Sequence, residues 1–335
     1  MAEAPRLWAH EAAQGLLTLS LLVWLGAGAG LSHPATGMIA GVAAFQAVVI
    51  VALRSSASTL LQKLRLASAY VVGLALFSAP RMVVPALGLP SRDGLLLEWD
   101  RALWGETPAV LLAPFARPWL TELMSACYLS YHLYFHGALA YALWQSLEKG
   151  RRLFEWMFTA LPVGIAGYLL VPAVGPLKAL QGSFGMPLTG GPLTTLNDWV
   201  VQHGSAVYDV FPSLHVLMTC VLLEHDRREH PLRFQGMLPV AVGLVLSTVY
   251  LRYHYAIDLL AGFVGFVAVR LWWSWRERRF ASKGTRQEGE RHGNAGRKGS
   301  AGDGGELGHW LGHGAGARGR GGQGRRGGSA RRQGT

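Results

Sequence analysis

Apolar residues along this chain fall in eight long runs, at 12–31, 36–53, 66–88, 119–146, 153–174, 209–226, 235–252 and 256–275. Crossing a hydrocarbon core of roughly 30 Å takes about 20 helical residues, and the runs are of that order. The pattern predicts an all-α polytopic membrane bundle of about eight transmembrane helices. An N-terminal hairpin over 1–60 precedes a six-helix core over 61–276. Between the third and fourth runs, Leu95, Leu96, Leu97, Trp99, Leu103 and Trp104 alternate with Glu98, Asp100, Arg101 and Glu106. That alternation predicts an amphipathic helix lying in the membrane interface, its tryptophans at headgroup depth. Segment 177–208 is rich in Gly, Pro and Thr and too long for a plain connector, so it is expected to cover a site beside it.

Composition agrees with the runs: 50% hydrophobic and 15% charged residues exclude an ordinary soluble domain. The net charge of +11 belongs to the tail, because from Arg276 onward fourteen Lys/Arg face five Asp/Glu, leaving seventeen against fifteen before it. Residues 277–335 are Gly/Arg-rich and predict a disordered tail. Its Arg318-Gly319-Arg320-Gly321-Gly322 run is read as a solvated segment near anionic headgroups rather than as an RNA-binding element. Cys127 and Cys220 both lie inside apolar runs and read as small packing residues.

Loop charge orients the bundle. Arg54, Lys63 and Arg65 follow the second run; Lys149, Arg151 and Arg152 the fourth; Arg227, Arg228 and Arg233 the sixth; the basic tail the eighth. Basic loops stay in the cytoplasm, so the odd-numbered loops are external and the tail internal. The first run reads as a retained span; a signal peptide cleaved near Ala27-Gly28-Ala29 leaves the same orientation. The reading is a multi-pass protein of the cell membrane.

That orientation brings two segments to one external surface: Phe211-Pro212-Ser213-Leu214-His215 and Arg252-Tyr253-His254-Tyr255-Ala256-Ile257-Asp258. Pro212 is expected in the first turn of a helix, where free amides and the dipole attract an anion beside His215. The plainer reading is a Ser213 cap and an interfacial histidine. His254 and Asp258 stand four apart, so the carboxylate can reach one ring nitrogen and leave the other as a nucleophile. Arg252 offers a charged fork for phosphate oxygens; an Arg–Asp pair pinning the turn is the plainer alternative. Tyr128, His132 and His136 share one helical face, with His132 about 20 Å from the external end of its span. Polar groups at that depth face the bundle interior, as a hydrogen-bonding stripe or as part of a substrate pocket holding Tyr128 and His132. No third ligand at matching depth accompanies the two histidines, so no metal is expected.

These residues resemble the type 2 phosphatidic acid phosphatase superfamily over roughly 66–276, and within it the inositol phosphorylceramide synthase-like branch. That branch reads Pro-Ser-Leu-His, as at 212–215, and His-Tyr-x-x-Asp-Leu, as at 254–259. The resemblance implies His254 as nucleophile, Asp258 as its partner, His215 as proton donor and Ser213 as a phosphate contact. Two superfamily features are replaced. Its Ser-Arg pair ahead of the nucleophile falls on Ser247 and Thr248, and its Lys with a later Arg-Pro falls on Tyr168, Gly175 and Pro176. Arg252 and Lys178 then stand in for the missing charges, with Tyr168 at the phosphate.

The expected activity is phosphotransferase or phosphatase chemistry on a lipid phosphate or phospholipid through a phosphohistidine on His254, without metal or other cofactor. Water or a polyol such as inositol is the acceptor. The alternative from another class is a non-catalytic carrier of lipid or anion, although no internal repeat suggests one. Nucleic acid is not an expected partner.

Overall fold

The computed structural model describes residues 7–300, with side chains through Arg279. Its helices run in chain order as α1 (Ala9–Gly28), α2 (Pro34–Leu53), α3 (Thr59–Ser78), α4 (Pro80–Ala86), α5 (Asp93–Trp104), α6 (Pro108–Leu111), α7 (Pro118–Trp144), α8 (Leu147–Leu170), α9 (Pro176–Ala179), α10 (Pro192–Gly204), α11 (Leu214–Glu229), α12 (Pro231–Tyr250) and α13 (Ala256–Ser300). No strand occurs among the described residues. Two compact units divide at Arg276. The backbone of α13 continues to Ser300, past the start expected for a Gly/Arg tail; the rest of that tail, 301–335, lies outside the described residues.

Each of the eight apolar runs falls on helix, the third on α3 and α4 in succession. Six candidates are long and apolar enough to cross a membrane: α1, α2, α3 with α4, α8, α12, and α13 as far as Arg279. The runs at 119–146 and 209–226 form α7 and α11, which do not reach that standard. α11 has 16 residues, about 24 Å of rise, and α7 interrupts its apolar surface with polar side chains. Proline opens α2, α7, α10 and α12, where the first amides have no partner to lose.

α8 is the central helix, packed against α1, α3, α7 and α11. Its Leu153, Phe154, Met157, Phe158 and Ile165 fill the core between them. Outward positions such as Leu16, Val23, Val48, Val51, Leu133 and Val264 are exposed, the inverse of a soluble bundle and the surface that lipid covers. Two glycines set the place of α11. A methyl group on Gly167 of α8 would overlap Pro212, and one on Gly262 of α13 would overlap the Ser213 carbonyl. The Pro212–His215 segment is therefore wedged between two helices that a larger residue would hold apart.

Candidate active site

Ser213 caps α11, its hydroxyl accepting from the Val216 amide at 3.4 Å. Pro212 thus precedes the cap instead of occupying the first turn, and the plainer sequence reading of Ser213 is the observed one. The cap residue is also tied across the bundle, where its amide donates to the Asp258 carbonyl at 3.0 Å. Tyr168 of α8 is buried in the core near Phe77, and the Leu214 backbone hydrogen-bonds it. It supports the start of α11 from below.

The second segment follows from how α12 ends. Tyr253 N donates to the Thr248 carbonyl at 2.9 Å and Arg252 N to the Val249 carbonyl at 2.9 Å, the paired bonds of a Schellman stop. The residue such a stop needs in the left-handed region is Arg252, with φ 67°, at a cost of about 1–2 kcal/mol for a side chain with a Cβ. The chain reverses there and presents His254 two residues later. Ser247 and Thr248 are buried in the last turn of α12, with their hydroxyls on the Leu244 and Val245 carbonyls.

His254 and His215 meet, Nε2 to Nδ1, at 3.2 Å. Behind His254, its Nδ1 stands 3.4 Å from Asp258 Oδ2, which also accepts the Tyr255 amide at 2.9 Å. Asp258 Oδ1 is buried without a partner. With Asp258 as acceptor, Nδ1 carries the proton of neutral His254 and Nε2 keeps its lone pair. Burial lowers the His254 pKa to about 4, outweighing the opposing pull of the Asp209 carboxylate and the Val210 backbone. The ring is therefore neutral at physiological pH. His215 is flanked by the rings of Tyr128 and Tyr131, with centroids at 4.8 and 4.7 Å.

The remaining sequence candidates divide. Tyr128 joins the histidines through His215 and Tyr253. His132 lies one turn deeper, next to Tyr128 and His136, with Nε2 buried and unpartnered. Arg252 donates from both terminal nitrogens to the Met186 carbonyl at 3.1 Å and stacks on Phe184, 4.1 Å from the ring centroid. Its fork is engaged by the 177–208 loop. Lys178 is exposed on α9, whose Leu177 amide donates to the Arg252 carbonyl at 2.7 Å.

Sequence reasoning missed the underside of the site. Asp100, read as part of a solvent-facing stripe, is 0% exposed and accepts the Ala256 and Ile257 amides at 3.1 and 2.9 Å. Asp93 accepts the Val174 and Gly175 amides and the Tyr255 hydroxyl. Asp93, Leu96 and Asp100 follow the spacing of one helical face, which is the signal that marks them as a single inward row. Within loop 177–208, Pro192 after a glycine pair was the unused sign of α10.

An imidazole pair with a carboxylate behind one ring suits nucleophilic attack on phosphorus, with the second ring handling the leaving-group proton. The contact is closed, however. A near-attack distance of about 3–3.5 Å must be available between Nε2 and phosphorus, so the 3.2 Å nitrogen–nitrogen contact has to open when substrate enters. Among comparisons with known proteins, the family model described as PAP2 superfamily matches residues 94–272, more than half of the chain. No curated protein and no solved structure gives a significant match. The chain belongs to the PAP2 superfamily, and that membership supports phosphatase or phosphotransferase chemistry on lipid phosphates.

Proposed function

We propose that this member of the PAP2 superfamily is an integral-membrane lipid phosphotransferase or phosphatase whose nucleophile is His254. The observation that carries the reading is the Asp258–His254–His215 line, with His254 Nε2 and His215 Nδ1 within 3.2 Å of one another. Neutral His254 attacks phosphorus through Nε2. As the N–P bond forms, the bond from phosphorus to the departing alcohol oxygen breaks, and His215, which takes up a proton as the phosphate anion enters beside it, gives that oxygen its proton. Water or an acceptor alcohol then attacks the phosphohistidine in line. Its proton goes to His215, the N–P bond breaks and neutral His254 is restored, so protons and bonds balance over the cycle.

The substrate phosphate enters between the rings, toward the Ser213 cap. Arg252 exchanges the Met186 carbonyl for phosphate oxygens, with Lys178 at the rim. Arg and helix amides can stabilise charge on the equatorial oxygens. The Pro-Ser-Leu-His and His-Tyr-x-x-Asp-Leu segments favour the inositol phosphorylceramide synthase-like branch, a phospholipid donor and a polyol acceptor such as inositol. In this reading the reaction takes place at the external face of the cell membrane, an orientation that the basic loops support.

Purified protein in mixed micelles, wild type beside His254→Ala, tests this. A panel of lipid phosphates and phosphoinositides is offered with and without inositol. Wild type is expected to release inorganic phosphate or form a new phospholipid, and the variant to fall by about a thousandfold or more, as for loss of a nucleophile. Equal lipid binding by both proteins with turnover by neither would favour the carrier.

A further inference from the structure

We infer that Asp93 and Asp100 of α5 are positioning residues for the His254–Asp258 turn, so that a helix outside the two histidine segments sets the alignment of the nucleophile. The inference rests on the reading of His254 as nucleophile and adds to it the means by which the site is held.

Every contact points to the same task. α13 begins at Ala256, and its first two amides have no partner within the helix. Both go to the Asp100 carboxylate, Ala256 N to Oδ2 at 3.1 Å and Ile257 N to Oδ1 at 2.9 Å. Thr107 Oγ1 holds Oδ2 from the other side at 2.5 Å. The carboxylate thus fixes the two residues between Tyr255 and Asp258, and with them the distance from His254 to its partner. Asp93 grips the residue on the other side of the start of α13. Its Oδ1 accepts the hydroxyl of Tyr255 at 3.0 Å and the Gly175 amide at 2.9 Å, while Oδ2 accepts the Val174 amide at 2.9 Å and the Ser91 hydroxyl.

Two buried carboxylates seven residues apart therefore hold the turn through backbone and tyrosine donors, and they join it to the end of α8. Removing a residue that accepts two part-buried amides with no partner inside the helix leaves both without their acceptor. The turn then gains freedom at the one place where a displacement of about 1 Å can reduce turnover on the order of 100-fold. Neither carboxylate hydrogen-bonds His254, His215 or Asp258; what each holds in the turn is a pair of backbone amides for Asp100 and the Tyr255 hydroxyl for Asp93. The half-buried acid of the same segment, Glu106, pairs with Arg101 and accepts the Thr107 amide at 2.8 Å; its Gln variant keeps an oxygen for that amide and serves as the control.

The test compares Asp100→Ala, Asp100→Asn, Tyr255→Phe and Glu106→Gln with wild type, as full-length protein in the mixed-micelle assay. Asp100→Ala is expected to lower kcat about 10–100-fold with KM within about twofold. Asp100→Asn, whose amide oxygen still accepts one bond, should recover part of the loss. Tyr255→Phe deletes only the hydroxyl on Asp93 and should lower kcat by about three- to tenfold, whereas Glu106→Gln stays at the wild-type rate. Wild-type kcat in both Asp100 variants, or a loss carried by KM alone, overturns the inference. If Asp100→Ala fails to fold, Asp100→Asn and Tyr255→Phe decide it on the same criteria. Amide hydrogen exchange at 254–258 supplies a readout independent of turnover. It should quicken by about tenfold in Asp100→Asn and not in Glu106→Gln, and unchanged exchange overturns the inference. Wild type that turns over nothing but shows this exchange pattern overturns the enzymatic reading alone.

Discussion

An imidazole that is 2% exposed cannot hydrate its cation, and burial lowers His254 to about 4 from an ordinary 6.5. The folded-state value lies below the unfolded one. Between pH 6.5 and about 4 the unfolded chain therefore binds a proton that the folded chain refuses. Stability from this group is complete above pH 6.5 and is lost as pH falls toward 4, by about 3 kcal/mol for a shift of this size. Unfolding temperatures of wild type and His254→Gln, measured in detergent from pH 7 to pH 4, should converge as the pH falls. Parallel curves would show that the histidine is hydrated after all. The same neutrality is what a nucleophile needs. That His254 meets His215 and Asp258 was legible in the sequence, because each sits in a short segment with a fixed spacing. Arg252 was legible as a charge but not as a left-handed stop residue whose guanidinium is turned onto Met186, since that depends on a loop far away in sequence.

α10 shows how an element in a long loop can be fixed from outside. Glu122 of α7 accepts the Gly191, Leu193 and Thr194 amides at 2.6, 2.8 and 3.0 Å, and the Thr194 hydroxyl at 2.8 Å. A carboxylate from another helix thus does what a local cap residue would do. One turn further along the same face of α10, Asn197 donates to the Tyr253 hydroxyl at 2.7 Å, beside His254. Glu122→Ala should loosen α10 by about 1–2 kcal/mol. Hydrogen exchange over 192–204 should quicken while the exchange of α8 stays unchanged; an unaltered α10 would mean that its packing, not Glu122, holds it. The length of the apolar runs pointed to the long helices, because a segment that crosses lipid is apolar over most of its length. It could not find the task of α5, whose buried row is acidic at Asp93 and Asp100, or anticipate α10, whose cap is supplied by α7. In α7 and α11 several of the polar residues that lower hydropathy have partners inside: Tyr128 and His215 at the histidine pair, and Asp226 with Tyr134 and Arg233 at the other end. Membrane-span criteria weaken where the bundle spends its interior on polar groups.

Across the bundle, the loops richest in Lys and Arg gather at one end, although Arg101, Lys178 and Arg252 lie at the other. The histidine pair stands at the start of α11, and Arg227 and Arg228 at its finish. Arg152 pairs with Glu229, Arg233 with Asp226, and Arg227, Arg228 and Arg270 all engage Glu224, so much of this basic end is neutralised locally. Arg65 is buried against Glu11. The rule that keeps basic loops in the cytoplasm counts Lys and Arg near the spans and gives acids little weight, so these pairings leave the orientation argument in place. With Cys127 and Cys220 replaced by alanine, a single cysteine at Ser183, exposed in the loop between α9 and α10, reports one end. A single cysteine at Lys149, exposed in the first turn of α8, reports the other. A membrane-impermeant maleimide added to intact cells should label Ser183→Cys and leave Lys149→Cys unlabelled until the membrane is opened. The reverse pattern would put the histidine pair at the cytoplasmic face, where a lipid substrate would have to come from the inner leaflet and a water or polyol acceptor from the cytoplasm. Labelling of both sites in intact cells would break the assignment of the ends to opposite sides of the bilayer.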